Sequence, residues 1–195
     1  MTTYRMGLLG VGPRGLSQAR AYMLHPRIDL VAMADIDADR LAAAAAEFGL
    51  ERTYQDYHEM LDKEALDIVN IPTRTDLHAP LTLGVLEHRP PKAIVLEKPM
   101  ATSLADADAM VELAESTGTR LAVHHQMRTT PTFAVAERLI EAGEIGPLTS
   151  IKIRGKGYYG GYDMLNIGTH LLNATRRYVG EARSVVSHCE TGGRP

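Results

Sequence analysis

The sequence contains a single cysteine, Cys189, among its 195 residues. One cysteine excludes a disulfide within the chain and a cysteine-rich metal site, and low cysteine usage is typical of cytoplasmic proteins. No apolar run approaches the roughly 18 residues that a membrane-spanning helix requires. The N-terminal stretch MTTYRMGLLG also lacks the basic segment and the long apolar run of a signal peptide. These features predict a cytoplasmic protein that does not enter a membrane.

The sequence also lacks an excess of basic residues. The chain has 21 lysine and arginine residues against 24 aspartate and glutamate residues, a net charge of -3 and a pI near 6.2. This balance argues against nucleic acid or a membrane surface as a general partner. No H-E-x-x-H motif and no cluster of histidine and cysteine predicts a metal site. Without a G-x-S-x-G motif, a hydrolase nucleophile has no anchor.

Short apolar runs alternate with helical patterns through most of the chain, which indicates βαβ units and a parallel sheet. The runs are continuously apolar, as expected for strands that helices cover on both faces. The predicted strands are Arg5–Gly10, Asp29–Ala34, Arg52–Tyr54, Leu66–Ile71, Ala93–Leu96 and Leu121–His124. With right-handed crossovers, residues 1–125 are predicted to form an α/β domain with the doubly wound parallel sheet of the Rossmann fold.

Capping residues mark the helices between these strands. Asp37, Asp56 and Ser103 stand where an N-cap side chain can accept a backbone hydrogen bond. Gly49 and Gly118 stand where a residue in the left-handed conformation ends a helix. These residues predict where three helices begin and where two of them end.

The pattern changes after residue 125. Residues 126–195 are predicted to begin an α+β domain for substrate binding and oligomerisation. Its predicted elements are a helix from Thr130-Pro131 to Ala142-Gly143, an alternating strand Leu148–Arg154, a loop at 155–161, a helix Met164–Tyr178 and a short strand at Val185-Val186. The strand at 148–154 would leave an unpaired edge, which predicts a homo-oligomer or poor solubility.

Residues 10–15, GVGPRG, form a G-x-G-x-x-G motif that follows the first predicted strand and opens a helix. The first glycine permits the tight turn, the second lets a pyrophosphate approach the backbone, and the third allows close packing of helix on strand. The helix N-terminus then faces the negative charge. Gly10, Gly12, Pro13, Arg14 and Gly15 are therefore candidate cofactor-binding residues, although glycine turns without such a function share the motif.

Asp35 lies 20 residues after Gly15, at the end of the second predicted strand. Its carboxylate is placed to accept hydrogen bonds from the adenosine ribose hydroxyls, with Ile36 beside it. Asp37 adds a carboxylate where a 2′-phosphate would otherwise lie, so like-charge repulsion favours NAD over NADP. Arg14 is the one nearby cation in the sequence, and it keeps NADP open as a cofactor.

The stretch IVLEKPM, residues 94–100, ends an apolar strand abruptly with Glu97 and Lys98. In an open parallel sheet, ligands bind beyond the carboxyl ends of the strands, so the nicotinamide end of a dinucleotide would lie close to Lys98. Glu97 could orient the lysine or contact the nicotinamide ribose. The alternative is an ordinary surface lysine at a strand end.

Several stretches together resemble the Gfo/Idh/MocA oxidoreductases, the family of glucose–fructose oxidoreductase and inositol 2-dehydrogenase. They are GLLGVGPRG, IVNIPTRTDLHAPL, the tripeptide Glu97-Lys98-Pro99, HHQMRTTP at 124–131 and GYDMLNIGTHLLN at 161–173. The resemblance implies a Rossmann domain and an oxidoreductase that moves a hydride between a pyridine nucleotide and a sugar, polyol or inositol-like hydroxy compound.

The resemblance also implies roles for individual residues. Lys98 would assist proton transfer at the carbinol while hydride moves to or from the nicotinamide. Pro72, Thr73 and His78 would lie along the cofactor, and Gln126 would lie near its nicotinamide side. Without the resemblance, His78 is equally well explained as a residue at the start of a helix.

The sequence departs from the family pattern at Asn166, because the family usually carries an aspartate four residues before the pocket histidine, here His170. The i, i+4 spacing predicts that both side chains share one helical face. An imidazole can exchange a proton near neutral pH, whereas an amide can only orient a neighbour. Asp163 one turn earlier could replace the missing carboxylate, or Lys98 and His170 could suffice without one. The alternative is that Asn166 and Asp163 cap the helix and His170 only packs.

The family's second domain usually runs much further, so the resemblance implies that this chain is shortened there. Two other functions therefore remain open. One is a non-catalytic NAD(H)-binding module or remnant, and the other is a family-like lyase or glycosidase that uses NAD within one turnover. Tyr158 and Tyr159 could contact a sugar ring or could pack their loop.

Overall fold

The computed structural model describes residues 2–154 and 164–188. The chain divides into two compact units, one up to His124 and the other from His125 onward. The domain boundary predicted after residue 125 lies one residue beyond this division. The first unit contains every strand of the parallel sheet.

Six strands form this sheet: β1 (Tyr4–Leu9), β2 (Ile28–Ala34), β3 (Thr53–Tyr54), β4 (Ile68–Ile71), β5 (Ala93–Glu97) and β6 (Arg120–His124). Their order is β3-β2-β1-β4-β5-β6, and all neighbours pair in parallel. This is the order of the doubly wound dinucleotide-binding fold, whose ligand crevice opens where the strand order reverses, between β1 and β4. The predicted Rossmann arrangement is confirmed.

Five helices connect the strands: α1 (Pro13–Met23), α2 (Ala38–Phe48), α3 (Tyr57–Lys63), α4 (Thr75–His88) and α5 (Leu104–Thr117). One core cluster joins β1 and β2 to α1 and α2 around the fully buried Leu8 and Met33. A second joins β4 and β5 to α4 and α5 around Ile71, Leu96 and Met110. Because helices cover these strands, the strands are largely apolar, with Asn70 of β4 as a buried polar residue.

The helices differ in how their N-termini are capped. Asp37 Oδ1 accepts hydrogen bonds from the N–H groups of Asp39 and Arg40 at the start of α2, and Ser103 Oγ accepts one at the start of α5. The N-cap of α1 is Gly12, and no side chain of the described residues caps this helix. The first N–H groups of α1 therefore keep their capacity to bind an anion.

The regular elements in the described part of the second unit are all helices. A 3₁₀ turn (Gln126–Thr129) leads into α6 (Pro131–Glu141), and a π-helical turn (Met164–Gly168) leads into α7 (Thr169–Val179). Arg177 of α7 donates a hydrogen bond of 3.0 Å from Nε to Glu137 of α6, and its guanidinium also reaches the carbonyl oxygen of Arg128. The rings of Phe133 and Tyr178 stack with centroids 6.1 Å apart.

The predictions of two strands in this unit are wrong. Leu148–Arg154 and Val185-Val186 lie in irregular backbone, and Val185 and Val186 are almost fully exposed. A strand needs a neighbour to receive its backbone hydrogen bonds, and the described residues of the second unit offer neither segment a partner strand. Among the described residues, the alternating pattern of 148–154 therefore meets no sheet, and the strand whose edge predicted an oligomer is not formed there.

Three residues discussed above, Tyr158, Tyr159 and Asp163, lie outside the described residues. Within the described ranges, no helix is both long enough and apolar enough to span a bilayer.

Candidate functional site

The glycine loop connects β1 to α1 at the point where the strand order reverses. Gly10 has a φ of 108°, which favours glycine, and a Cβ there would lie 2.7 Å from Thr73 Cγ2. A Cβ on Gly15 would lie 2.2 Å from the carbonyl oxygen of Gly10 and 3.2 Å from Pro72 Cγ. A Cβ on Gly12 would meet no atom of the described residues within 4 Å. The protein's own packing thus requires Gly10 and Gly15 but not Gly12.

The loop forms one end of a cavity of about 580 Å³ in the first unit. Such a volume is ordinary for a small-molecule or cofactor site. Eight of the predicted cofactor-binding residues line it: Gly10, Gly12, Pro13, Arg14, Asp35, Ile36, Pro72 and Thr73. The uncapped N-terminus of α1 and the open side of Gly12 match the demands of a pyrophosphate, so these residues fit a dinucleotide.

Four other predicted residues of the first unit are not in the cavity wall: Gly15, His78, Glu97 and Lys98. Gly15 shapes the loop from behind, through its contact with Gly10. His78 is fully buried, and its ring nitrogens lie 2.8 Å from the carbonyl oxygen of Pro99 and 3.1 Å from that of Thr73. The ring therefore ties the loop after β4 to the segment that follows Lys98. His78 supports the cavity from behind rather than lining it.

Two backbone N–H groups hold the Asp35 carboxylate in the cavity wall. Oδ2 accepts a hydrogen bond of 2.8 Å from Val11 N, and Oδ1 accepts one of 2.9 Å from Asp37 N. Arg40 lies 3.2 Å from Oδ1 and also pairs with Asp37. The prediction that Arg14 is the one cation near this carboxylate is wrong, because the first turn of α2 folds Arg40 back onto Asp35.

Arg14 instead approaches Glu97, with Nε 3.9 Å from Oε1. Glu97 is buried, and both of its carboxylate oxygens have partners within the first unit. Oε2 accepts a hydrogen bond of 3.1 Å from the backbone N–H of Lys98, while Oε1 lies 2.7 Å from Gln18 Nε2 and 2.8 Å from His124 Nδ1. These contacts favour the orienting role of Glu97 over contact with a ribose.

Gln18 links Glu97 to a second buried polar side chain. Its Oε1 accepts a hydrogen bond of 2.7 Å from Asn70 Nδ2, and both Gln18 and Asn70 are buried. This network joins α1, β4, β5 and β6 beneath the carboxyl ends of the strands. A buried polar network is stable only while its members remain paired.

We expect Gln18→Leu to lower the free energy of unfolding by about 2 kcal/mol, because it leaves a buried carboxylate and a buried amide each short of one partner. Urea unfolding of the variant, beside the exposed replacement Ser17→Leu on the same helix, measures this difference. Equal stability of the two variants would contradict the structural role of the network.

Burial and the neighbouring charges shift the pKa of Lys98. Burial lowers the pKa of Lys98 below its ordinary value, the Glu97 carboxylate opposes this, and Arg14 adds to it. For Glu97, burial alone would raise the pKa, but the hydrogen bond and charge of His124, with Arg14 and the Lys98 N–H, hold it below its ordinary value. A lysine of lowered pKa beside an ionised carboxylate is suited to accept and return a proton.

The second unit contains three predicted residues. His170 is buried, and its ring meets that of His125 edge to face with centroids 5.5 Å apart. Asn166 lies in the π-helical turn before α7, so the predicted α-helix from Met164 begins with a different winding. Gln126 has a buried amide oxygen with no hydrogen-bond partner among the described residues.

No group of three or more metal-ligating side chains in the described part of the chain could hold a metal ion. The features that this part does provide are a glycine loop at the switch point of a parallel sheet, an acid at the end of β2, and a half-buried lysine after β5. Together they define a dinucleotide-binding α/β protein.

Comparison with known proteins assigns the family. The Gfo/Idh/MocA profile, described as an oxidoreductase family with an NAD-binding Rossmann fold, matches residues 4–125. The chain belongs to this family, and its first unit is an NAD-binding Rossmann domain.

Individual relatives agree. The chain is 36% identical to D-apiose dehydrogenase of Paraburkholderia graminis over 143 residues. This aligned region covers 73% of the chain and 38% of that protein. It is 34% identical over 143 residues to the scyllo-inositol 2-dehydrogenase (NAD(+)) of Bacillus subtilis, covering 73% and 41%. An oxidoreductase from Agrobacterium radiobacter, solved with NAD+, L-tartaric acid and magnesium, is 26% identical with a TM-score of 0.79, covering 92% and 55%. The chain thus spans less than half the length of these two curated relatives.

Sequence reasoning missed several residues of the site. Arg40 and Arg74 both line the cavity, and Gln18 holds Glu97. Arg40 follows the N-cap Asp37 by three residues, a spacing that could have predicted their contact on one turn. Gln18 gives no such signal, because a glutamine on a helix is usually exposed.

Proposed function

We propose that the chain is the NAD-dependent part of an oxidoreductase that oxidises a CH–OH group of a sugar, polyol or inositol-like compound. The observation that carries this proposal is Lys98, a half-buried lysine with a lowered pKa at the end of β5 in an NAD-binding Rossmann domain. The names of its relatives, which include D-apiose and scyllo-inositol dehydrogenases, support the substrate class.

In the proposed reaction, the residues that bind the cofactor differ from those that transfer the proton. The glycine loop and the N-terminus of α1 bind the pyrophosphate, and Asp35 binds the adenosine ribose. NAD, when bound, supplies the hydride acceptor. During oxidation the neutral amine of Lys98 takes the proton from the substrate hydroxyl, and Glu97 behind it provides a fixed negative charge. His170 and Asn166 of the second unit are proposed to contact the substrate, with His170 exchanging the proton and Asn166 orienting hydroxyl groups. Gln126 is proposed to lie on the nicotinamide side.

Titration of the purified chain with NADH, followed by nucleotide fluorescence, tests the first part of this proposal. Binding that saturates supports the cofactor site, and the same preparation is then screened with NAD against D-apiose, scyllo-inositol, myo-inositol and L-tartrate for growth of NADH absorbance. Absence of NADH binding by a chain that unfolds cooperatively would overturn the proposal.

A second candidate is a non-catalytic NAD(H)-binding module. Asn166 favours it, because the amide cannot titrate where the family usually carries a carboxylate. This candidate predicts NADH binding without oxidation of any polyol in the panel. Asn166→Asp separates the two candidates, since a restored carboxylate is expected to raise turnover in an enzyme and to change nothing in a binding module.

We also propose that the protein is a cytoplasmic homo-oligomer. Exposed apolar side chains on the described helices of the second unit, among them Val135, Leu139 and Leu172, support an interface. Sedimentation velocity across a hundredfold concentration range is expected to show association. A sharp monomer peak at every concentration would contradict the oligomer.

A further inference from the structure

We propose that His124 is a positioning residue that acts on Lys98 through Glu97, because the hydrogen bond from its ring weakens the hold of the Glu97 carboxylate on the Lys98 ammonium group. This inference rests on the proposed proton transfer by Lys98 and deepens it. It concerns how the lysine comes to be neutral, the state in which it can accept a proton from a substrate hydroxyl.

The sheet brings the three residues together at its carboxyl edge. Glu97 is the last residue of β5 and His124 the last of β6, and the two are direct neighbours in the parallel register of these strands. His124 Nδ1 lies 2.8 Å from Glu97 Oε1, while Oε2 accepts a hydrogen bond of 3.1 Å from the backbone N–H of Lys98. One carboxylate therefore joins the imidazole to the residue that carries the amine.

The imidazole is the donor in its contact with the carboxylate. Burial alone would raise the pKa of Glu97, whose side chain is 5% exposed, but the hydrogen bond and charge of His124 hold it below its ordinary value. The carboxylate is thus ionised and offers only acceptors, so the hydrogen in the 2.8 Å contact lies on Nδ1. Gln18 Nε2 lies 2.7 Å from the same oxygen and 2.9 Å from Nδ1, so two donors converge on Oε1.

The negative charge that His124 offsets is the one that holds a proton on Lys98. Burial lowers the pKa of Lys98, and the Glu97 carboxylate is the group that opposes this effect. A hydrogen-bond donor on Oε1 offsets part of the carboxylate charge, and a protonated ring offsets more of it. His124 therefore favours the neutral amine through the carboxylate.

Two further groups, both on α1, face the carboxylate. Arg14 Nε lies 3.9 Å from Oε1, and its guanidinium keeps its positive charge at every pH of interest. Burial, with the charge of Glu97, raises the pKa of Tyr22 to about 12, so the phenol is neutral below that pH. Neither group changes its charge over the range in which Lys98 titrates.

The test follows the titration of Lys98 by NMR of the intact chain, with isotope-labelled methyl groups on the lysines and Lys98→Met to assign the resonance. His124→Leu removes the donor, whereas His124→Asn keeps one, because the asparagine nitrogen takes the place of Nδ1. His88→Leu is the matched control: both histidine side chains are 34% exposed, and His88 Nε2 lies 2.8 Å from Asp62 Oδ1 outside the cavity. Thermal melting shows whether each variant is folded.

His124→Leu is expected to move the titration midpoint of Lys98 to higher pH, because Gln18 and the Lys98 N–H keep Glu97 ionised while its charge is less compensated. His124→Asn should recover part of this shift, and His88→Leu should cause none. Oxidation of the best polyol by His124→Leu should be about threefold to tenfold slower near neutral pH but within about twofold at the high-pH plateau. A purely structural role of His124 would lower the plateau without moving the profile.

An unmoved or lowered midpoint in folded His124→Leu would overturn the inference. If this variant does not fold, nitrogen NMR of the ring in the unchanged chain decides: a hydrogen on Nδ1 supports the inference, and a neutral ring with its hydrogen on Nε2 overturns it. The lysine titration needs no nucleotide, so its outcome is separate from that of the NADH titration. Absence of NADH binding by the unchanged chain would instead reject the proposed function itself.

Discussion

Replacement of Lys98 by methionine is expected to lower turnover by about 10² to 10⁴-fold, the usual contribution of a positioned acid–base group. Methionine preserves the aliphatic stem but cannot take a proton, so NADH affinity should stay nearly unchanged. Lys92→Met is the matched control, because Lys92 immediately precedes β5 and Lys98 immediately follows it. Initial rates with the best substrate of the polyol panel, alongside an NADH titration, measure both effects.

The pH profile provides an independent check on the same residue. Oxidation requires the neutral amine, so the rate should rise with pH through the lowered pKa of Lys98 and should fall as the amine becomes protonated at lower pH. If Lys98→Met turns over as fast as Lys92→Met, Lys98 is an ordinary strand-end lysine and another group takes the proton from the substrate.

Alanine at Gly15 is expected to destabilise the fold by about 3 kcal/mol or more, since its Cβ would lie 2.2 Å from the backbone oxygen of Gly10, where no side chain can move aside. Alanine at Gly12 should leave the free energy of unfolding within about 0.5 kcal/mol, because its Cβ meets no described atom. Gly12→Ala is nevertheless expected to weaken NADH at least about tenfold, since the methyl group occupies the space through which the pyrophosphate approaches the backbone.

Urea unfolding and NADH titration of both variants separate these effects. The expected result is that Gly15→Ala changes mainly the free energy of unfolding, whereas Gly12→Ala changes mainly the NADH affinity. If Gly12→Ala binds NADH normally, the pyrophosphate does not lie against this loop. If Gly15→Ala is as stable as the unchanged chain, the loop backbone can move to admit the methyl group, and the packing requirement at Gly15 is wrong.

The Rossmann sheet was predictable because its signals are local. Each buried strand is a largely apolar run, and Asp37, Gly49 and Ser103 mark helix ends through contacts within a few residues. The glycine loop and Asp35 were found for the same reason, since their spacing along the chain reflects a single βαβ unit.

The remaining features depend on partners that are distant in sequence. Glu97 is turned inward because Gln18, 79 residues earlier, and His124 claim one of its oxygens. The strand predicted at 148–154 failed because alternation states which face would be buried but not whether a neighbouring strand exists. The contact of Arg40 with Asp35 was missed because the sequence places Arg40 one turn after Asp37 but does not show that its side chain also reaches the end of β2.

The contact between Gly10 and Thr73 has a consequence for how the site comes into being. The glycine motif ends at residue 15, but Gly10 packs against Thr73 and Gly15 against Pro72, after β4 has paired with β1. A nascent chain that has emerged only as far as β3 thus carries the full motif without a nucleotide site. Cofactor binding therefore requires the pairing of β1 with β4, whose residues lie about sixty positions apart along the chain. Such long-range pairing forms late, because the entropy of loop closure is lost before the new contacts stabilise the chain.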